Sequence, residues 1–496
     1  MTQPISGLQP YLTEISLKLK KTGEIMILHS VLKILVVLAF FPLMAPISGD
    51  LLGFEFGVNS YYSLGLLLFP VAILLAFMRP IYFNRYVKRI FIFLACFVIW
   101  SVISAFINPI LFDGIPVFSP RLGIDTQARL GATSLRWSFS NFGQAIYLLI
   151  NFSIVFISLY VIKTKHHFMS IIFDIFKIVI PLVIFIVFWQ AANKFFGLYF
   201  PYDLFFSISD RGNFNQTMNG LFRVSGAMIE PSVLGGVLAS LFIGSMWLHR
   251  HSKRLRYKIY PALIIVCIIM TTSSTGLVVL GAILVSAALY LFFRAILYLR
   301  VRTDLFVIGS LCTLLFVVIY IQLMDIINVV LESALLEKLY SSSFEHRSLS
   351  NLHTLEILKE TYFLGSGLGS NRPSSFIASI VSNLGVIGVI LFLALVFCVI
   401  QAYFKLRKLD DNLDYTFWML VTFVFSMTIS IPDISCEYLW ICLIAFIVNA
   451  NTVSQCAYEH EHEHEHEHEH EHEHEHEHEH EHEHEYEYEY EYANID

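Results

Sequence analysis

Apolar residues run along this chain in long blocks, interrupted by short basic clusters and by a few longer polar stretches. A helix crossing about 30 Å of hydrocarbon needs about 17–25 such residues, and about twelve blocks approach or reach that length. They lie at 24–44, 61–78, 90–108, 143–162, 168–190, 231–248, 258–272, 276–293, 304–322, 375–400, 416–431 and 436–449. The seventh, eleventh and twelfth are short, and a re-entrant hairpin is an alternative for one pair. The pattern predicts an all-α polytopic integral membrane protein. The first block contains His29 and Lys33 and is followed directly by further spans, so it reads as a span rather than a cleavable signal.

The connections differ on the two sides. One side has short, basic linkers; the other has three long segments, at 109–142, 191–230 and 323–374. Long loops in a compact protein are uncommon unless they have a task. Within the third, Leu349, Leu352, Leu355 and Leu358 recur at near-helical spacing, which predicts an amphipathic helix over 345–361 lying at the membrane surface. His346 and His353 then share one face, with Arg347 beside it.

Composition agrees with a membrane chain. Of 496 residues, 56% are hydrophobic and 15% charged, against about a quarter charged in soluble proteins. The net charge of −8 is misleading, because residues 459–492 are thirteen Glu-His and four Glu-Tyr dipeptides. Without 459–496 the body carries 32 basic and 22 acidic residues, a net +10. Twenty Lys and Arg fall on the short-loop side, ten on the long-loop side and two within spans. The positive-inside rule therefore places both termini in the cytoplasm. The domain reading is a cytoplasmic N-terminus (1–23), a membrane domain (24–450) and a low-complexity tail (451–496), disordered and cytoplasmic. His-rich tracts can hold transition metals, but repeat slippage is the plainer account of the tail. The seven Cys suggest no disulfide framework.

Candidate chemistry concentrates on the long-loop side. The second long segment contains Arg211 and ends Arg223-Val-Ser-Gly226-Ala-Met-Ile-Glu230-Pro231-Ser232 at the mouth of a span. Pro suits the first turn of a helix, and an acid there is favoured by the helix dipole. The plain alternative is a capped helix with a solvated Arg. The third segment supplies Arg347, the stretch Gly365-Ser-Gly367-Leu-Gly369, and Arg372. That glycine pattern lacks the context of a dinucleotide fingerprint or a phosphate loop. An interfacial His is more often solvated than catalytic. No Asp-x-Asp element or His/Cys cluster stands in the body, so no metal or other cofactor is expected, nor a nucleic-acid partner.

Three motifs in order resemble those of the bacterial O-antigen polymerase and ligase superfamily: Arg223-x-x-Gly226-x-x-x-Glu230-Pro231-Ser232; Thr272-Ser273-Ser274-Thr275-Gly276 between two spans; and Arg347 followed by Gly365-Ser-Gly367-Leu-Gly369, with Asn383-Leu-Gly385-Val-Ile-Gly388 in the next span. The likeness covers about residues 25–450 and is densest between 211 and 388. Two departures stand out. Ser274 occupies a position where the family often has Arg, and residues 371–376 lack the His-rich element usual in ligases. The second departure favours a polymerase.

The resemblance implies a metal-independent, GT-C-like membrane glycosyltransferase in the bacterial inner membrane. It would join undecaprenyl-diphosphate-linked repeat units into surface polysaccharide (O-antigen, capsule or exopolysaccharide) on the outer face, beside membrane lipids and chain-length-regulator and flippase partners. Arg211, Arg223, Arg347 and Arg372 are then the expected diphosphate clamp. Glu230 and His346 or His353 are the expected bases, with Glu230 orienting an Arg as the alternative. The alternatives are a ligase of the same superfamily and a polysaccharide flippase or other transporter.

Overall fold

A computed structural model describes residues 26–44, 59–78, 83–118, 133–207, 217–218, 221–252, 254–298 and 342–454. The block at 304–322, the N-terminal segment and the Glu-His tail lie outside the described residues.

The other eleven blocks coincide with helices. In chain order these are α1 (Met26–Leu38), α2 (Ser60–Met78), α3 (Arg85–Leu111), α4 (Phe139–Val161) and α5 (Lys165–Phe196), with the single-turn α6 (Tyr202–Phe205) after them. There follow α7 (Pro231–His251), α8 (Leu255–Met270), α9 (Ser274–Tyr298), α10 (Ser342–Glu360), α11 (Phe376–Leu406), α12 (Asn412–Ser430) and α13 (Glu437–Ser454). Seven of them, α3, α4, α5, α7, α11, α12 and α13, are long and apolar enough to cross a membrane. α8, with 16 residues, is shorter. The chain is thus an all-α, multi-pass membrane protein. Exposed Ile99, Leu393 and Phe397 show where lipid replaces water as the surrounding medium.

Local chemistry sets the helix ends. The Asn84 side chain accepts from Tyr86 N to start α3, and the Thr164 hydroxyl accepts from His167 N at the start of α5. α5 stops at Gly197 in the left-handed region, φ 70°. Pro70, Pro109, Pro181 and Pro261 lie within helices, as membrane helices tolerate once neighbours satisfy the freed carbonyls.

α7 is the central helix, with 78% of its apolar stretch buried against 39% for α3 and α11. It packs along α12 and α8, while α3 packs along α11 and α2 along α4. Small residues bring the backbones together. A Cβ on Gly235 would lie 2.9 Å from Cα of Gly276 in α9, and one on Gly236 would strike Ser426 of α12.

Two differences from the sequence pattern matter. The block at 375–400 is one apolar run, yet α11 is broken at Gly385 (φ 64°, ψ −163°). Helix α13 continues through Ser454, so residues 451–454 are helix rather than tail. The long segments also carry two short antiparallel ribbons, β1 (Pro116–Val117) with β2 (Thr133–Ser134), and β3 (Thr217–Met218) with β4 (Leu221–Phe222). α10 covers the first of them, burying Ile357 against Phe112, Val117 and Leu135. Its Leu349, Leu352 and Leu355 stay exposed on the opposite face, as a helix resting on lipid requires.

Contacts between helix ends fall into two sets at opposite ends of the bundle. At one end Asn108 of α3 meets the loop after α10, and Asn59 before α2 meets Glu437 of α13. At the other, Lys165 of α5 meets Asp410, and Arg250 of α7 meets Asp411. The first set contains all three motifs.

Candidate functional site

The first motif is a strap leading into α7. Gln190 of α5 accepts from Ser225 N (2.9 Å) and Gly226 N (2.8 Å), and Gly226 has φ 61°. Val224 N donates to the Met270 carbonyl at the end of α8, and Lys194 Nζ to the Arg223 carbonyl at 2.8 Å. The chain then becomes extended at Glu230, the N-cap of α7, with Pro231 at the first turn. The Glu230 carboxylate accepts from the Ser232 hydroxyl at 3.0 Å and stands at the positive end of the helix dipole.

The second motif is the turn between α8 and α9. Thr272 takes a positive φ of 46°, Thr271 Oγ1 accepts from Ser273 N, and Ser273 Oγ accepts from Gly276 N. Gly276 is the point where α9 touches α7 backbone to backbone. Thr275 Oγ1 donates to Ser430 Oγ at 3.1 Å, joining this turn to the end of α12. Packing and capping account for Thr271, Ser273, Thr275 and Gly276.

The glycine stretch of the third motif is a clasp in the break of α11. Gly365, Gly367 and Gly369 have φ of 83°, 98° and 82°. A Cβ on Gly365 would lie 2.6 Å from Gly385 N, and one on Gly367 would lie 2.6 Å from the Ser104 carbonyl. Only glycine allows both that φ and that approach. Ser366 N and Gly367 N donate to the carbonyls of Ser382 and Asn383, and Val386 N donates to that of Phe363. Asn108, Asn141, Asn371 and Asn383 complete the clasp. Asn108 Nδ2 bonds the Leu364 and Gly365 carbonyls, Asn141 Nδ2 that of Leu368, and Asn383 Oδ1 accepts from Asn371 N. These loop amides are spent inside the protein, so the stretch is a structural joint and not an anion cradle.

The joint carries two of the expected arginines. Ser374 is tied to α10 through Ser350 Oγ (3.0 Å) and Asn351 Oδ1 (3.1 Å), which fixes Arg347 one turn away from the Arg372 segment. Arg372 N donates to the Phe118 carbonyl, and its Nη2 lies 3.3 Å from Asp433 Oδ2. The Nε atoms of Arg347 and Arg372 are buried and have no hydrogen-bond partner among the described residues. Arg211 lies outside the described residues, as does the side chain of His346, whose backbone forms the first turns of α10.

His353 does not have the geometry of a free base. Its Nδ1 is 2.7 Å from Glu356 Oε2 and its Nε2 is 3.0 Å from the Pro116 carbonyl. Both nitrogens face oxygen acceptors, and the ring stands edge-on to Phe118 at 5.0 Å. It pins α10 to β1.

Two acids that the motifs leave out, Asp433 and Glu437, flank the turn between α12 and α13. Glu437 opens α13 and accepts from Asn59 Nδ2 at 2.5 Å. The turn itself is held by Ser435, whose carbonyl accepts from Asn151 and Tyr62 and whose hydroxyl meets Gln144. Burial, and then the neighbouring Glu437, push the Cys436 thiol pKa up. The readable signal was an acid at the mouth of a span, the same signal that singles out Glu230.

Thus Glu230 and the Thr271–Gly276 turn share α7, that turn meets the end of α12 at Ser430, and Asp433 just beyond meets Arg372. Among the described residues, no three His, Cys, Asp or Glu side chains are close enough to hold a metal ion. Compared with known proteins, the sequence matches no family model and no curated protein.

Proposed function

We propose that this chain is a membrane glycosyltransferase that polymerises undecaprenyl-diphosphate-linked oligosaccharide repeat units, with a GT-C-like arrangement of about twelve crossings. The observation that carries the reading is that Glu230, Arg347, Arg372 and Asp433 lie at one end of the bundle, with Arg372 paired to Asp433 and the Arg347 helix tied to the Arg372 segment through Ser350 and Ser374. The excess of Lys and Arg at the other end supports assigning this end to the outer face of the bacterial inner membrane.

The chemistry follows from charge. An acceptor sugar hydroxyl attacks the anomeric carbon of the donor, the carbon–oxygen bond to the diphosphate breaks, and the hydroxyl proton passes to a base. The departing diphosphate gains negative charge, which Arg forks stabilise through paired N–H donors. Arg347 and Arg372, with Arg223 and Arg211, are the clamp in this reading. Asp433 orients Arg372, and Glu230 is the base, with His346 as the second candidate. His353 becomes a positioning residue, since both its nitrogens are occupied.

Vesicles holding the full chain and synthetic undecaprenyl-diphosphate-linked repeats test this directly. Lengthening of the glycan, with one undecaprenyl diphosphate released per bond, is the expected outcome. One observation favours a transporter as the second reading: Lys33 and Asp174 pair at 2.5 Å within apolar helices, and such pairs often mark substrate or proton paths. Movement of intact lipid-linked repeat between leaflets without lengthening would decide for that reading.

A further inference from the structure

At the end of the bundle opposite Glu230 and Asp433, the C-terminus of α7 meets the turn between α11 and α12. A cleft of about 320 Å³ opens there, lined by Arg250, His251, Lys408, Asp410, Asp411 and Asn412 among others. It uses none of the residues of the proposed transfer site, and the excess of Lys and Arg falls at this end.

Asp410 gives the cleft its chemistry. The residue is 6% exposed. Its Oδ1 accepts from Asn412 N (3.1 Å) and Nδ2 (2.8 Å) and lies 3.2 Å from Lys165 Nζ. Its Oδ2 is buried with no hydrogen-bond partner among the described residues. A buried carboxylate oxygen without a donor is costly, so a site built around one calls for a donor from outside the fold.

The rim carries Lys408 and Arg250 beside one exposed acid, Asp411. Lys408 is exposed and makes no ion pair among the described residues. Arg250 is also exposed, with Nη2 3.3 Å from Asp411 Oδ2 and Nη1 3.4 Å from the Tyr415 hydroxyl. His251 stacks on Trp247 and spends Nδ1 on the Trp247 carbonyl. A carboxylate in the lining, with one oxygen buried behind it, and cations at the edge match a zwitterion whose ammonium enters first and whose anion stays outside.

Tyr415 continues into an exposed apolar stripe on α12, Trp418, Val421 and Phe425, at spacings of three and four residues. A molecule seated in the cleft can therefore lay a hydrocarbon chain along α12. Arg and aromatic residues together at such a level are characteristic of the membrane–water boundary.

We propose that this cleft binds an aminophospholipid of the ethanolamine type. The primary ammonium donates to Asp410 Oδ2, and the phosphate meets Lys408 and Arg250. A choline headgroup has no N–H to donate, and a glycerol headgroup has no cation, so neither completes both contacts.

The test uses the full-length protein, purified and stripped of lipid, titrated with phosphatidylethanolamine, phosphatidylcholine or phosphatidylglycerol of identical acyl chains. Bound lipid is read by native mass spectrometry. The ethanolamine lipid is expected to bind about tenfold more tightly than either of the others. Asp410→Asn, which removes the charge and turns one of the two acceptor oxygens into a donor at nearly the same volume, removes the preference. Lys408→Gln, which breaks no ion pair among the described residues, weakens ethanolamine-lipid binding at least about threefold. Equal binding of the three lipids, tightest binding of the glycerol lipid, or no change in Lys408→Gln would overturn the proposal. The readout is lipid retention, so it succeeds or fails independently of glycosyl transfer.

Discussion

Arg372 places its Nη2 3.3 Å from Oδ2 of Asp433, across the gap between the glycine clasp and the turn that joins α12 to α13. The side chains are 27% and 36% exposed. An ion pair that open contributes about 0–1 kcal/mol to stability. Its consequence is orientation: the guanidinium is held by one edge, at the end of the bundle where the motifs meet.

Asp433→Asn therefore separates orientation from folding. Thermal unfolding in detergent is expected to change little, because the lost pair is worth at most about 1 kcal/mol. On the proposed function, polymerisation by the reconstituted protein is expected to fall about tenfold, as a misplaced clamp would lose roughly 1.4 kcal/mol of transition-state binding. A normal rate with normal stability would remove Asp433 from the account.

The clasp gives the opposite kind of prediction. Gly385→Ala forces a Cβ into the carbonyl of Phe363 at a φ of 64°, and Gly367→Ala into that of Ser104 at a φ of 98°. The backbone strain alone is about 1–3 kcal/mol, so both variants should melt several degrees lower. Gly281→Ala, where nothing lies within 4 Å, is the control; it should be neutral or gain up to about 1 kcal/mol of helix propensity.

Asn383 is the keystone of that clasp, bonding Asn371 N and the carbonyls of Asn371 and Ser379. Asn383→Ala leaves a buried amide and two carbonyls short of a partner. Each uncompensated group costs about 1–3 kcal/mol. The expected outcome is a poorly folded protein, measured as early elution as aggregate on size exclusion. Asn383→Asp, which keeps only the acceptor, should be intermediate.

Apolar blocks were legible because length and composition alone decide whether a helix can cross a membrane. The helix over Ser342–Glu360 was legible from its leucines for the same kind of reason. The break at Gly385 was hidden, since glycine in an apolar run is compatible with an unbroken helix and only the Gly365 contact shows otherwise. Asn108, Asn141 and Asn383 stood in or beside apolar blocks as a readable hint, because polar groups there need partners. Their partners in the glycine loop come from 12 to 257 positions away in sequence, which no local pattern encodes. The residue type of His353 suggests a base, whereas its contacts with Glu356 and Pro116 make it a tie between α10 and β1. Asp433 carries no local signal of its pairing, because its importance depends on Arg372, 61 positions away in sequence.

Cys436 tests the environment of the α12–α13 turn. Its thiol is held protonated by burial and by Glu437 beside it, and the thiolate is the reactive form. The raised pKa means that reaction with a maleimide at neutral pH should be slow and should speed up as the pH rises. Glu437→Gln removes the charge and should speed labelling, while rapid labelling of the unchanged protein at pH 7 would contradict this arrangement.

The most direct test of glycan polymerisation is the chain-length distribution of surface polysaccharide in cells whose only copy of this chain carries Arg347→Ala, Arg223→Ala or the corresponding Lys, with protein levels matched. Loss of all long polymer, with the lipid-linked single repeat retained and no rescue by Lys, is the predicted result, because Lys is a point charge and cannot form the Arg fork. Unaltered ladders from these variants at normal protein levels would contradict it.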